Sequence, residues 1–518
     1  MHLRSSGVLA GGHPVVRDRQ LRDLFLLGLS VVIPTVLALA IVIELPSGST
    51  LAVLGVIVGV LGIVYLMVST RLEFTVALLA VYLGLLDGPV KLSFGGHEVL
   101  AAVPDVLIIA VCLGAVMRIV VRRESIKMPP MSAWVVAFVG VVAIEAFNPN
   151  TTGILKVAAG FRQQLQFVPF FFFGYYLLRT KANLRKLFII AGVIALANGV
   201  IAGYQSTLQP AQLASWGPGY HNLIYVNTAE GAVGTGRTFV SEGEARVRPP
   251  GLGSDAGFGA GVGQIAFPFC LALLAISRRR RWIAVLLCLG SLLAIVDGLG
   301  RSQVIGAGFD VMAFVGLAML ARRRVTRALT ALAAIVLIGI PVGYVVVSTL
   351  RPGTFQRYET INVTSSSTDL HKESAWKLIP HYLAADPFGF GLGSVGPTSG
   401  IGGRNAALLE GHSVSSETQY NFIVNELGAP GLVVWTALSI YMLLLIPIGM
   451  TGVRDGDLAI LLAGFFAPFF ALFIEASSGS FTLSAAAGPY FWLSIGVAAY
   501  WFMGPGRQRA RLNGDAHA

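Results

Sequence analysis

Long apolar stretches recur throughout this chain of 518 residues and constrain its fold more than any other feature. A helix that crosses the hydrocarbon core of a bilayer needs about 20 predominantly apolar residues. Such a helix satisfies its own backbone hydrogen bonds, which lipid cannot do. We therefore predict an all-α polytopic membrane protein with about fourteen transmembrane helices. Their approximate ranges are 22–44, 51–69, 73–87, 99–120, 131–147, 154–178, 184–206, 258–276, 282–299, 303–321, 328–349, 429–449, 457–476 and 486–503.

The composition excludes several other classes of protein. Only 12% of the residues are charged, whereas a soluble globular protein has about 25%. A soluble enzyme, a disordered scaffold and a secreted disulfide-rich domain are therefore excluded. The three cysteines, Cys112, Cys270 and Cys288, all lie inside apolar stretches. They are predicted to be buried thiols that pack as small apolar groups, and not disulfides or zinc ligands.

The basic residues predict the topology. The net charge of +11 is spread over short clusters between apolar stretches, a pattern that sets membrane orientation and does not indicate nucleic acid binding. With the basic segment 1–21 in the cytoplasm and a change of side at every span, all these clusters fall on the cytoplasmic side. The tail 504–518 is then cytoplasmic as well. The clusters are Arg71, 118–127, 179–186, 278–281, 322–327, Arg454 and 507–511.

The same alternation predicts two long extracytoplasmic loops, 207–257 and 350–428. They separate N-terminal (22–206), central (258–349) and C-terminal (429–503) groups of transmembrane helices. The first loop is rich in Gly, Ser and Thr. The second contains an apolar face at helical spacing between Asp369 and Ala385, which predicts amphipathic helix. Asp386-Pro387 should end it, because proline disfavours helix in the residue before it.

Arginines on the predicted external side are the first candidates for function. Arg162 lies in a mid-chain span, Arg246 and Arg248 lie in Glu244-Ala-Arg-Val-Arg-Pro-Pro-Gly-Leu252, and Arg301 follows Asp297-Gly-Leu-Gly300. The planar guanidinium suits phosphate, which favours an anion site. Each arginine also has a structural interpretation. Arg162 would form a structural ion pair between helices, with Glu145 as one candidate partner. Arg301 would reach the membrane surface by its long side chain, and the loop arginines would be solvated.

His412 and Glu417, just before the last three predicted spans, are candidates for a general base. Either group at the membrane surface could take a proton from a hydroxyl, although an exposed loop histidine is the alternative for His412. No sequence motif for a metal site, a nucleotide phosphate site or a serine nucleophile is present. The sequence therefore predicts neither a metal nor a cofactor.

The order of these motifs resembles the O-antigen ligase and O-antigen polymerase superfamily of bacterial envelope proteins. The resemblance covers about residues 150–450. It rests on the mid-chain arginine, Arg-Pro-Pro-Gly-Leu with Asp255 and Phe258-Gly, and Gly300-Arg-Ser. It continues with Trp376, Asp386-Pro-Phe-Gly-Phe-Gly-Leu-Gly393 and Asn425-Glu-Leu-Gly-Ala-Pro-Gly-Leu432. The ligase branch has a histidine nine residues before the Glu of Glu-x-Gly. This chain has Glu417 there, and His412 lies five residues earlier, which favours a polymerase or an unassigned branch.

The resemblance implies a metal-independent glycosyltransferase in the bacterial cytoplasmic membrane, acting on its external face. Its donor would be a polyprenyl-diphosphate-linked glycan, and its acceptor a glycan or a lipid. Arg162, Arg248 and Arg301 would hold the diphosphate, Arg246 is a further candidate, and polysaccharide-assembly proteins would be partners. Two alternatives remain. One is a transporter or flippase for a lipid-linked or soluble anion, and the other is a purely structural assembly partner.

Overall fold

The structure is a computed structural model that describes residues 50–69, 71–95, 100, 102–122, 128–228, 231–234, 238–241, 244–277, 279, 281–321, 349, 358, 377–402, 418–477 and 479–512. The described part is mostly helical. Two predicted spans, 22–44 and 328–349, fall outside it except for residue 349. The helices are α1 Thr50–Val68, α2 Leu72–Val81, α3 Asp87–Ser93, α4 Val103–Arg122, α5 Ser132–Glu145, α6 Ile154–Leu165, α7 Phe170–Leu177, α8 Lys181–Gln205, α9 Pro210–Ala214, α10 Pro218–Ile224, α11 Phe258–Ile276, α12 Arg281–Asp297, α13 Arg301–Ala321, α14 Gln419–Thr451, α15 Gly456–Glu475, α16 Ala487–Ala498 and α17 Gly506–Leu512.

Seven of the described helices are long and apolar enough to cross a membrane. The chain is therefore a membrane protein with several spanning helices. The number of fourteen spans stays a prediction. The seven are Leu72–Ser93, Val103–Val120, Lys181–Gln205, Phe258–Ile276, Arg301–Ala321, Gln419–Thr451 and Gly456–Glu475.

Several predicted helix boundaries differ from the structure; the span predicted at 73–87, for example, continues to Ser93. The range 154–178 contains two short helices, α6 and α7, with turns between them at 166–169. Pro169 lies at this break and has no N–H to donate, which favours the interruption. Helix α14 begins ten residues before the predicted span, at Gln419. Its backbone is non-helical at Gly428 (φ 57°, ψ −154°), so a separate helical segment precedes the apolar part.

The predicted loop 207–257 contains regular structure that the sequence analysis did not anticipate. Helices α9 and α10 are followed by two antiparallel hairpins, in which β1 Tyr225–Thr228 pairs with β2 Gly231–Gly234, and β3 Thr238–Ser241 pairs with β4 Glu244–Val247. The fold is thus not wholly helical. Val247, Tyr220, Ile224 and Leu213 are buried together in a small apolar core with Leu92 of α3, and burial raises the pKa of Tyr220.

The described residues form two compact units. The first contains those up to residue 79 and those of 102–122. Within it α1 and α4 pack together, and the Arg118 guanidinium donates to the Leu66 carbonyl at 3.4 Å. The second unit contains the described residues of 80–100 and from 128 onward, and every candidate site residue that the structure describes lies in it.

The second unit has an aromatic and small-residue core. Helices α8, α11 and α12 pack together, and α11 and α13 pack against α15. The Phe188 and Phe269 rings stack at 4.5 Å between centroids, and Phe269 also stacks on Phe465 at 5.7 Å. A Cβ on Gly199 of α8 would lie 2.7 Å from the Gly290 carbonyl oxygen of α12. Glycine is therefore required for this close helix approach.

The helix ends define two opposite ends of the second unit. At one end, which we call the site end, the carboxyl ends of α8, α12 and α15 meet the amino ends of α11, α13 and α14. For example, the Gln419 N–H at the amino end of α14 donates to the carbonyl of Ala476, just after α15, at 2.9 Å. At the other, the basic end, Lys181 lies 2.8 Å from Asp455 and Arg185 lies 3.1 Å from Asp457. Other described basic residues from the predicted cytoplasmic clusters also lie here, at the amino end of α12 and in α17.

Asp455 at the basic end gives a pH-dependent contribution to stability. Burial opposes its ionisation, but hydrogen bonds from Lys181 and from the Leu458 N–H outweigh burial and lower the pKa of Asp455. Because the pKa is lower in the folded chain, the stabilisation is present above the ordinary aspartate pKa. It is lost as the pH falls through the lowered folded value.

We expect Asp455→Ala to lower the free energy of unfolding by about 1 kcal/mol at neutral pH, mostly through loss of the α15 N-cap. The ion pair adds little, since the Lys181 side chain is 40% exposed. Asp455→Asn should retain most of the cap while removing the pH dependence. The measurement is unfolding of the detergent-purified protein at neutral and acidic pH, with exposed Asp457→Asn as the control. Equal unfolding of Asp455→Ala and the parent would contradict this contribution.

Candidate functional site

The Arg-Pro-Pro-Gly segment is held rigidly against the carboxyl half of α8. The Gln205 side chain accepts from the Gly251 N–H at 2.8 Å and donates to the Gly251 carbonyl at 3.0 Å. The Asn198 side chain accepts from the Leu252 N–H and donates to the Gly84 carbonyl, both at 2.9 Å. Gly251 has φ 66°, which favours glycine. Two buried amides thus fix the turn that follows Arg248.

The Arg248 guanidinium lies at the amino end of α11. Its Nη2 is 3.8 Å from the position that a Cβ of Gly257 would take, and Gly257 precedes Phe258, the first residue of α11. A helix amino terminus carries a partial positive charge and unsatisfied N–H groups. A guanidinium and a helix terminus of the same sign attract an anion together.

Arg301 begins α13 beside the same helix end. The preceding turn contains Leu299 at φ 53°. A Cβ on Gly298 would lie 2.7 Å from the Ala260 backbone nitrogen, and one on Gly300 would lie 3.1 Å from the Ala260 Cβ. The first turn of α11 therefore contacts the segment that carries Arg301. The structure thus brings the Arg248 and Arg301 segments together.

The Arg162 side chain lies near Asp87, close enough for the two charges to interact. Asp87 also pairs with Lys91 at 2.8 Å. Its neighbour Gly88 abuts the arginine loop, since a Cβ there would lie 2.2 Å from the Gly253 carbonyl carbon. Through Asp87 and Gly88, the region of Arg162 therefore adjoins the loop that follows Arg248.

The interaction of Arg162 with Asp87 fits the structural interpretation, an ion pair between helices, but the partner is not Glu145. The buried Glu145 carboxylate accepts from the Asn148 amide at 2.9 Å, and among the described residues the other charge acting on it is Asp386. The pair fails because α6 follows α5 only after the turns at 146–153, where Asn148 satisfies Glu145 locally.

Arg246 lies in β4, opposite Phe239 of β3. Successive strand residues point to opposite faces, so Arg246 lies on the face opposite the buried Val247. Arg246 is part of the same segment as Arg248.

The two candidate bases, His412 and Glu417, lie outside the described residues. The described chain resumes at Thr418, which is buried and caps α14 by accepting from the Asn421 N–H at 3.0 Å. One described residue of the same long loop, Tyr358, donates to the Val296 carbonyl at 2.6 Å. Tyr358 therefore covers the carboxyl end of α12, immediately before the Arg301 turn.

Sequence reasoning missed a buried polar cluster around Glu426. Its two carboxylate oxygens accept from the Gln163 and Gln164 side chains, each at 2.7 Å, and the Val395 N–H lies 3.5 Å away. Gln163 and Gln164 directly follow Arg162, so Glu426 anchors the end of α6 that carries this arginine. The Glu426-x-Gly428 run was visible in the sequence, but nothing in it indicated the two glutamines as partners.

The glycine-rich stretch 389–398 completes this cluster. The buried Lys156 donates to the Ser399 carbonyl at 2.6 Å, and the Phe390 N–H donates to the Asn425 carbonyl at 2.7 Å. A Cβ on Gly428 would lie 2.3 Å from the Phe388 carbonyl carbon, so this crossing requires glycine. The stretch is therefore packed tightly between α6 and the start of α14.

The described residues contain no group of three or more His, Cys, Asp or Glu side chains that could hold a metal ion. No protein-family model matches the chain, and no curated protein matches it.

Proposed function

We propose that this chain is a membrane glycosyltransferase of the O-antigen ligase or polymerase type. It would transfer or polymerise glycan from a polyprenyl-diphosphate-linked donor in surface polysaccharide biosynthesis. The observation that carries the proposal is the meeting of the Arg248 and Arg301 segments at the amino end of α11. Two guanidinium groups and two helix amino termini suit a diphosphate, which carries several negative charges.

The arginines would act on the leaving group. Breaking the bond between the sugar and the diphosphate places additional negative charge on the departing diphosphate. Donors fixed in advance stabilise that charge without reorganisation. Gln205 and Asn198 hold the Arg248 turn, and Glu426 anchors the α6 segment next to Arg162. Glu417 or His412 would take the proton from the acceptor hydroxyl.

The distribution of charge supports an external site. The basic clusters at the basic end would face the cytoplasm under the positive-inside rule. The site end, with Arg162, Arg248 and Arg301, would then face outward in the bacterial cytoplasmic membrane. Both chain termini would be cytoplasmic, and the acceptor would be a glycan or a lipid.

A transporter or flippase for an anion predicts polar groups along a path between the two ends. In the part of the chain that the structure describes, the buried charged side chains of the second unit lie at the site end or within a few helical turns of it. They are Asp87, Glu145, Lys156, Asp297, Asp310 and Glu426. This one-sided distribution favours the enzyme.

The experiment is deletion of the gene in its native host, followed by electrophoretic profiling of surface polysaccharide. Loss of long chains with single units retained indicates a polymerase. Accumulation of full-length lipid-linked polymer indicates a ligase. An unchanged profile together with an unchanged pool of lipid-linked glycan would refute the proposal.

A further inference from the structure

Three polar side chains from three helices meet inside the bundle, below the turn that carries Arg301. Gln264 of α11 donates to the Glu475 carboxylate of α15 at 2.5 Å. Asp310 of α13 lies close enough to Glu475 for the two charges to interact, and it also faces Gln264. Asp310 is fully buried. It lies nine residues beyond Arg301, which is about 14 Å along a helix.

Gly306 makes room for these groups. A Cβ at this position of α13 would lie 1.9 Å from Glu475 Oε1 and 2.3 Å from Gln264 Nε2. Any larger residue would displace both side chains. At Gly306, α13 therefore packs against polar side-chain atoms of α11 and α15.

Among the described residues, the Gln264 amide is the donor near the Asp310 carboxyl, and that amide already donates to Glu475. The described groups that interact with Asp310 are Glu475, Gln264 and Tyr490 of α16, and none of them is basic. The Tyr490 hydroxyl is already used, since it donates to the Phe465 carbonyl at 2.6 Å.

The other described helices packed against α13 do not supply a counter-charge either. In α14 the charged residue is Glu426, which is held by Gln163 and Gln164. In α12 the charged residues are Asp297 and Arg281, at opposite ends of that helix, and neither is among the groups that act on Asp310. On α13 itself the other charged residue is Arg301, at its first position.

An ionised carboxylate in this position would be buried at membrane depth beside a second carboxylate. Within the described part of the chain, its charge would be neither solvated nor paired, which is unfavourable at membrane depth. Two neighbouring carboxyls avoid this by holding a proton between them. Glu475 is partly exposed at the end of α15, so it provides a route for a proton between Asp310 and the surface at the site end.

We propose that Asp310 is a buried proton-binding site that exchanges its proton through Glu475. The protonated Asp310 hydroxyl donates to Glu475 or to Gln264, and deprotonation transfers the proton to water through Glu475. The ligand is a proton, and no reaction with substrate is involved. This inference does not depend on the proposed glycosyltransferase activity.

The test is infrared difference spectroscopy of the full-length protein in lipid nanodiscs. A protonated carboxyl has a carbonyl stretch that is well separated from the bands of an ionised carboxylate. We expect such a band at neutral pH, shifted in D₂O, and lost in Asp310→Asn. The band should persist in Asp297→Asn, a matched control with a buried carboxyl at the end of α12. Glu475→Gln should leave the band but slow its exchange in D₂O.

Two results would overturn the proposal. The first is a spectrum in which Asp310→Asn removes no protonated carboxyl band at neutral pH. The second is loss of the parent band when Na⁺ replaces choline at constant pH, which would make the ligand a metal cation. If Asp310→Asn does not fold, the spectrum of the parent protein still tests the proposal. Absence of any exchangeable protonated carboxyl band would exclude the site.

Discussion

Replacing Arg248 or Arg301 with alanine should reduce glycan transfer by a factor of about 10²–10³, while the protein still inserts into the membrane. Each change removes a fixed donor from the position where charge develops on the leaving diphosphate. Both side chains lie next to helix amino ends, where loss of one guanidinium should disturb packing little. The measurement is the rate of product formation in membranes from a deletion strain that expresses each variant at equal levels.

Lysine variants and a distant arginine provide the controls. Arg248→Lys and Arg301→Lys keep the charge but lose the planar fork, so they should retain intermediate rates. Arg185→Ala removes the same charge at the basic end, where the Arg185 side chain is 42% exposed, and should transfer at the parental rate. Parental rates in both Arg248→Ala and Arg301→Ala would refute the assignment of the diphosphate site.

Glu426→Ala should lower the free energy of unfolding by about 3–5 kcal/mol, the usual cost of removing one partner from a buried charged cluster. The change would leave the Gln163 and Gln164 amides without their acceptor in a fully buried position. It would also remove the carboxylate that acts on the buried Lys156. The measurement is thermal or denaturant unfolding in detergent, combined with the rate of proteolysis within residues 389–402.

Glu426→Gln keeps the shape of the side chain but replaces one acceptor oxygen with a donor. It should therefore lower the free energy of unfolding by less than Glu426→Ala does. Asp457→Ala is the matched control, because it removes a carboxylate that is 55% exposed. If Glu426→Ala unfolds and is cleaved like the parent, the cluster does not hold the glycine-rich stretch in place.

The length of the apolar runs predicted the helix bounds well where one uninterrupted run forms one helix. The predicted ranges 184–206, 258–276 and 457–476 nearly coincide with α8, α11 and α15. The prediction was incomplete where a non-helical backbone conformation divides a helix. The apolar span predicted to begin at 429 starts next to the non-helical Gly428, but the sequence did not reveal the helical segment before it.

The loop 207–257 shows a second reason why the prediction and the structure differ. The sequence predicted a loop rich in glycine, serine and threonine, but short hairpins need only four-residue strands. Such strands give too few residues for a period-two pattern to be recognised. Val247 of β4 contributes to a buried apolar core, and Tyr225 of β1 packs against it.

The candidate site could be predicted only in part. Arg162, Arg248 and Arg301 were identified because charges near spans are costly. Their neighbours Gln205, Asn198 and Glu426 were not, since these act through contacts with residues 46 to 263 positions away. Periodicity and local motifs contain no information on such partners.

Binding of a polyprenyl diphosphate to the purified protein tests the central claim most directly. The claim is that Arg248 and Arg301 hold the diphosphate at the site end. Native mass spectrometry should show that the parent binds the diphosphate much more tightly than the corresponding polyprenol. Arg248→Ala and Arg301→Ala should lose this preference, and Arg185→Ala should keep it. Equal binding of the diphosphate and the polyprenol by the parent protein would contradict the account.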